Sequence, residues 1–401
     1  MTARAKPRAP GGIGATTRRL AVFGWYALAL VVLFGVAPLA LSDFRLRLLA
    51  QFLCLAMVAV GIGLAWGRGG MLTLGQGVFF GLGAYIMAIH LQLSDAGPGG
   101  RPSFMVTGSG LPWWWELFRN PLAAVVGIVA VPSLVALVLG LAVFRRGVKG
   151  AYFAILSQAL AAAFALLLVS QQGTIGGSNG LSNFRQFFGF ALSDPVNRRM
   201  LFFIAAGALV VMVAVIHQLM RSRYGELLTA VRDGEERVRF LGYDPALVKV
   251  VAYVVAAAFA GIGGALFVPI VGIISPQNVG VVPSVGFVIG VAVGGRATLV
   301  GPVLGSLAVA YAGSTLSASF ESVWVYLQGL LFILVVAFLP GGIASVAGTL
   351  RGRRASSMPD RGDLPGTGEQ APAAGPGGAG GDLPQSPRSR AAQPVGVGEE
   401  P

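Results

Sequence analysis

Long apolar runs separated by short polar ones make up most of the chain. They cover residues 20–41, 47–66, 71–92, 121–144, 151–170, 200–220, 247–268, 282–295, 298–315 and 323–345. Most are long enough to cross a ~30 Å hydrocarbon layer as helices. Lipid offers no partner to a free backbone N–H or C=O, so helices, which satisfy their own, are the expected form. The alternating segments of a membrane barrel are absent. The pattern therefore predicts an all-α, polytopic membrane bundle of about ten transmembrane helices over residues 20–348, with a basic segment 1–19 before it and a tail 349–401 after it. The eighth run is short and predicts a broken or tilted segment. The first is longer than the ~7–15-residue core of a secretory signal and reads as a retained helix; APLA at 37–40 is what a cleavage reading would use.

Composition agrees. Of 401 residues 55% are hydrophobic and 11% charged, against about 25% charged in a soluble domain, and the mean hydropathy is +0.75. The net charge of +13 first suggests nucleic acid, but its distribution suggests otherwise. With the N-terminus inside and ten crossings, 22 of the 29 Lys and Arg fall on the inner side and 7 on the outer (Arg45, Arg47, Arg101, Arg119, Arg185, Arg198 and Arg199). That is the positive-inside bias, and it predicts that both termini are cytoplasmic. Beyond Arg351 the chain turns to Gly, Pro, Ala, Ser and Arg, too little apolar surface to offset ordering entropy, and a disordered tail is expected. The single cysteine, Cys54, lies in an apolar run and excludes an internal disulfide.

Much chemistry is missing. No Asp or Glu falls inside a predicted span, which argues against an ion- or proton-coupled carrier, with backbone carbonyls as the remaining way to hold Na⁺. No G-x-x-x-x-G-K-[ST] loop occurs, and the three lysines are Lys6, Lys149 and Lys249; the chain has no ATP site or other cofactor of its own. His90 and His217 lie near span ends and read as packing or interfacial groups. GGSNG at 176–180 lacks the spacing of a nucleophile elbow. The G-x-x-x-G pairs Gly63/Gly67, Gly77/Gly81, Gly290/Gly294 and Gly301/Gly305 read as close helix packing.

Three polar features stand out. GRGGMLTLGQGVFFGLGAY at 67–85 puts Thr73, Gln76 and Tyr85 into an apolar span, and QQGTIGGSNGLSNF at 171–184 puts Thr174, Ser178 and Asn179 into an outer loop. Each group serves either local structure or contact with a solute on its path. PWWW at 112–115 reads as an interfacial anchor. The third is GELLTAVRDGEERVRFLGYDPALVKV at 225–250: eleven of the chain's 45 charged residues fall between Arg221 and Lys249. Leu227, Leu228, Val231, Val238 and Leu241 form a helical stripe beside Arg232, Asp233, Glu235, Glu236, Arg237 and Arg239, with Gly242 and Pro245 ending the helix. A lipid-bound helix would be mainly basic; mixed charge points to a protein surface in the cytoplasm.

AVRDGEERVRFLGYDPALVKVVAYVVAAAFAGIGGAL at 230–266 resembles the coupling loop of ABC importer permeases, specifically the branched-chain amino acid and urea permease family. MLTLGQGVFFGLGAY at 71–85, GGSNGL at 176–181 and VAVGGRATLVGPVLG at 291–305 resemble other motifs of that family, and the resemblance runs from about 20 to 348. GGRATLVG and GYDPALVK resemble the urea-type members more than the amino-acid type. The resemblance implies a second related permease, two cytoplasmic ATPase subunits that bind ATP and Mg²⁺, an external solute-binding protein, and coupling through Glu226, Arg232, Asp233, Glu235, Glu236, Arg239 and Gly242. Where the family usually has Ser-Ile-Glu, this chain reads Ser284-Val285-Gly286, without the carboxylate. A path without fixed charge suits a small neutral solute, urea first and a branched-chain amino acid second, since a zwitterion brings two charges to satisfy. An ATP-independent facilitator is the reading from a different class, and would make the charged helix dispensable.

Overall fold

The apolar runs fold as helices in a computed structural model that describes residues 31–102, 105, 111–296, 298–319, 321–338 and 342. The predicted basic N-terminus, the first half of the first run and the tail lie outside the described residues. After the helical pieces Val31–Val36 and Ala37–Ala40 come α1 (Asp43–Ile62, continued by a π turn Gly63–Arg68), α2 (Gln76–Ala96), α3 (Pro121–Phe144) and α4 (Ala151–Ser170). Next are α5 (Pro195–Arg221), α6 (Arg223–Phe240), α7 (Pro245–Val271), α8 (Val281–Gly294), α9 (Gly301–Ser319) and α10 (Glu321–Phe338). Among the described residues, seven helical stretches are long and apolar enough to cross a membrane: α1 with its π turn, α2, α3, α4, α5, α7, and Pro276–Gly294 containing α8.

Helix α7 is the hub, packing on α1, α2 and α3. Its inward face is rich in small residues, with Ala252, Ala256, Ala257, Ala260, Gly261, Gly263 and Gly264 buried. Where lipid removes the hydrophobic drive between helices, close backbone approach supplies the packing energy. Helices α1, α2 and α7 are accordingly buried, whereas α3, α4 and α5 leave most of their apolar surface exposed, as suits helices bordering lipid. A ring cluster closes the α6 end of the core: the rings of Phe79, Phe144 and Phe153 lie 5.3, 6.0 and 5.6 Å from that of Tyr253, each edge-on.

The third predicted span departs from expectation. It starts at Gln76, not at residue 71, because residues 69–75 are not helical. Unwound backbone inside a bundle must find polar partners, and two serines supply them. Ser157 Oγ on α4 accepts from Leu74 N–H (2.9 Å) and donates to Ala154 O (2.8 Å). Ser284 Oγ on α8 accepts from Gly77 N–H (3.1 Å) and donates to Gly280 O (2.8 Å). The start of α2 is thus capped by side chains from two other helices. Removing one acceptor leaves a buried amide unpaired, at ~1–3 kcal/mol. Ser284→Ala should lower the thermal midpoint of the detergent-solubilised protein, while Ser170→Ala, at an exposed site, should not; equal midpoints for the two would refute the cap.

Loop backbone is tied by two-residue antiparallel strands. β1 (Leu181–Ser182) pairs with β4 (Ile273–Ile274), joining the link after α4 to the link after α7; β2 (Gln186–Phe187) pairs with β3 (Phe190–Ala191). The tryptophan run is not a uniform anchor: Trp113 is exposed, but Trp115 is wholly buried. Its short helix, Trp113–Leu117, turns the third ring into the core. His90 is buried with Nδ1 2.9 Å from Phe118 O and its ring 5.0 Å from that of Phe188, a packing role.

Candidate functional site

The charged stretch forms α6, but not as one continuous amphipathic helix. Gly234 adopts φ −170°, ψ 77° and kinks it, and the helix ends at Phe240 before Gly242, whose φ of 86° turns the chain toward α7. Leu228, Val231 and Val238 are buried as the stripe predicts, while Leu241 is exposed.

The charged face divides in two. Glu235 points back at the bundle, with an oxygen 2.7 Å from Lys249 Nζ on α7 and 3.0 Å from Lys149 Nζ in the α3–α4 turn. Burial pushes the Glu235 carboxyl up, but its bonds to Lys249 and Lys149 outweigh that and hold it below the ordinary glutamate value. Arg232 also turns in: Nη1 donates to Gly67 O at the end of α1 (3.0 Å), while Nε pairs with Asp233 (2.8 Å). Tyr224 OH donates to Val248 O (2.8 Å). Arg232 and Glu235 also fasten α6 to three span ends, Arg232 while remaining exposed and Glu235 half-buried. Glu226, Asp233, Glu236, Arg239 and Gly242 stay exposed, beside exposed Phe240, Leu241 and Tyr243. The sequence reading missed Lys149 and Lys249. The available signal was that lysine occurs three times and Lys249 opens an apolar run, where an unpaired ammonium would be costly.

The solute-path residues are not brought together. Thr73, Gln76 and Tyr85 are buried inside the bundle, Thr73 in the unwound segment beside Tyr253, the others on α2. Both amide atoms of Gln76 and the Tyr85 hydroxyl lack a hydrogen-bond partner among the described residues. Ser178 and Asn179 are exposed in the loop after α4, and Thr174 Oγ1 is 3.2 Å from Gln171 Oε1 in that loop.

A cavity of about 240 Å³ lies elsewhere, around Gly286, lined by Gln51 of α1, Asn278, Ser306 of α9 and Gln328 of α10, with Phe80, Phe267 and Phe287 on its apolar wall. None of the six path residues lines it. Its lining holds amides and a hydroxyl but no charged side chain. Gln51 stands eight residues into α1, roughly 12 Å along its axis. A Cβ at Gly286 would come 2.8 Å from Gln328 Nε2, so Gln328 occupies the direction a side chain at 286 would take. The sequence reading did not single out Gln51 or Gln328; their convergence on one cavity is tertiary information.

Arg296, which opens the link from α8 to α9, stacks over Trp66 at 5.1 Å, a cation–π contact tying that link to the end of α1.

The family model for the branched-chain amino acid transport system permease component matches residues 44–336. Two relatives named high-affinity branched-chain amino acid transport system permease protein LivM, from Salmonella typhimurium and Escherichia coli, are each 26% identical over 341 residues, 79% of this chain and 74% of the relative. No solved structure matches. The matched region takes in every helix from α1 to α9, the fastened α6 and the Gly286 cavity among them, and the chain belongs to the family of branched-chain amino acid transport system permease components.

Proposed function

We propose that this chain is the permease subunit of an ATP-driven importer in a bacterial plasma membrane, and that it carries a small neutral solute of the urea class. A second, related permease would complete the pathway, two ATPase subunits would dock in the cytoplasm, and an external binding protein would deliver the solute. The observation that carries the substrate reading is the uncharged, amide-lined cavity around Gly286. Gln51, Asn278 and Gln328 are half-buried there, and a solute that donates and accepts several hydrogen bonds, as urea does, can pair with such amides without bringing a charge to desolvate. Coupling rests on α6: its exposed charges and Phe240, Leu241 and Tyr243 would meet the ATPase, while Glu235 and Arg232 pass the displacement to α7, the α3–α4 turn and the end of α1.

A branched-chain amino acid is the second reading, favoured by the names of the relatives. Accumulation of labelled urea and labelled leucine in cells lacking the gene separates the two. Loss of urea uptake alone supports the proposal; loss of leucine uptake overturns the substrate and keeps the transport role; loss of neither overturns urea in favour of another solute. Complementation with Gly286→Glu sharpens the test. A carboxylate beside Gln328 should cut urea uptake about tenfold or more, because the cavity would then have to desolvate a charge. Leucine uptake, if it occurs, should be spared, since the new carboxylate can pair with an ammonium.

A further inference from the structure

A cavity of about 640 Å³ opens at the end of the bundle opposite α6, between the first turns of α1 and α5, the end of α7 and the loop around Phe184–Leu192. Four arginines line it, Arg47, Arg185, Arg198 and Arg199, with Asp43 as the one carboxylate in its lining. These are four of the seven basic residues on the outer side of the predicted spans, gathered where the positive-inside bias calls for few.

Their commitments leave positive charge over. Arg199 pairs with Asp43 at 2.9 Å. Arg47 caps α7, with Nε on Ile270 O and Nη2 on Val271 O, both 2.6 Å, so one arm of its fork remains. Arg198 spends Nε on Leu192 O (3.0 Å). Arg185 is placed by its backbone N–H on Asp95 (2.7 Å), and its guanidinium makes no hydrogen bond among the described residues. Arg199 also joins this cavity to a second of about 840 Å³, otherwise lined by Pro195, Val196, Met200, Phe203 and Ile204 of α5. An arginine-lined cavity therefore adjoins an apolar groove along α5, a helix whose outer surface is exposed.

We propose that the two cavities together bind one anionic phospholipid, its phosphate held by Arg185, Arg198 and the remaining arm of Arg47, its acyl chain laid in the α5 groove. Guanidinium forks match phosphate oxygens in pairs. Arginines near helix ends sit at headgroup depth with their stems on apolar surface. An acidic protein segment would satisfy the arginines but leave the groove empty, which is why the lipid is preferred.

Native mass spectrometry of the delipidated full chain, titrated with dioleoylphosphatidylglycerol or dioleoylphosphatidylcholine, tests this. Phosphatidylglycerol should add one equivalent at a concentration at least about tenfold lower, as expected when two or more cations face one anion. Arg185→Gln with Arg198→Gln should erase the preference, and Ile204→Trp, which fills the groove, should weaken binding of both lipids. Added NaCl should remove the preference in the unmodified chain, a reading independent of how the variants fold. Equal binding of the two lipids, a preference that survives the double substitution, or insensitivity to Ile204→Trp would overturn the proposal. Tighter binding of a glutamate decapeptide than of phosphatidylglycerol would overturn it in favour of an acidic protein segment.

Discussion

Replacing Glu235 by alanine should cut solute uptake about 30-fold while leaving the protein in the membrane. The substitution strips both Lys249 and Lys149 of their carboxylate. The side chain of Lys149 is 47% exposed and finds water, whereas that of Lys249 is 11% exposed. Breaking a buried ion pair by removing one partner costs ~3–5 kcal/mol because a charge is left behind; partial exposure of this pair places the expected loss near 3 kcal/mol. The consequence reaches transport as well as folding, because this contact joins α6 to both α7 and the α3–α4 turn. Losing ~2 kcal/mol of coupling between ATPase closure and bundle reorientation corresponds to a ~30-fold fall in uptake. Two further variants separate the causes. Lys249→Met added to Glu235→Ala removes the stranded charge and should restore most of the thermal stability but not the uptake. Glu236→Ala on the exposed half should change stability by less than ~0.5 kcal/mol and lower uptake by weakening ATPase docking alone. Uptake in proteoliposomes with the partner subunits measures both; Glu235→Ala within twofold of wild type would sink the lever and leave an ATP-independent facilitator.

What the sequence makes legible follows the physics that generates it. Apolar length is local, so helices at 121–144 and 151–170 coincide with α3 and α4, and the short eighth run is the 14-residue α8. The unwound segment before Gln76 was hidden because its stability comes from Ser157 and Ser284, more than eighty residues away. The stripe in α6 marked its buried side, yet nothing local distinguishes Glu235 from Glu236. One meets Lys249 at 2.7 Å, and the other, on the exposed side, only approaches Lys149 (3.8 Å) and Arg239 (3.7 Å), a difference set by where α7 begins. For the solute path, polarity singled out Gln76 and Asn179, but a cavity needs convergence from several helices, and Gln51, Ser306 and Gln328 come together only in the folded bundle.

The glycines draw the same distinction, and lead to the prediction with the second-largest effect. By sequence, Gly207, Gly305 and Gly329 each sit in an apolar run, and of the three Gly305 alone belongs to a G-x-x-x-G pair. In the fold, Gly305 of α9 lies against the backbone of α8 at Gly290 and Gly294, and Gly294 in turn lies against Gly301, so the two G-x-x-x-G pairs interlock. A Cβ at 305 would be driven into main-chain atoms, which cannot swing aside as a side chain does, and the helices would have to separate. Overpacking of this kind costs ~1–3 kcal/mol where neighbours can adjust; against backbone, and with the contact area of a close crossing lost, Gly305→Val should exceed ~3 kcal/mol. The damage should extend to the Gly286 cavity, because α8 and α9 both line it. Gly207 of α5 and Gly329 of α10 have nothing within 4 Å of the added carbon. Gly207→Ala and Gly329→Ala should therefore be neutral or gain up to ~1 kcal/mol from helix propensity. Thermal midpoints of the three purified variants decide the matter, with solute uptake measured alongside. A Gly305→Val protein as stable as Gly207→Ala would mean that α8 and α9 do not meet through their glycines, and the cavity built on that crossing would fall with it.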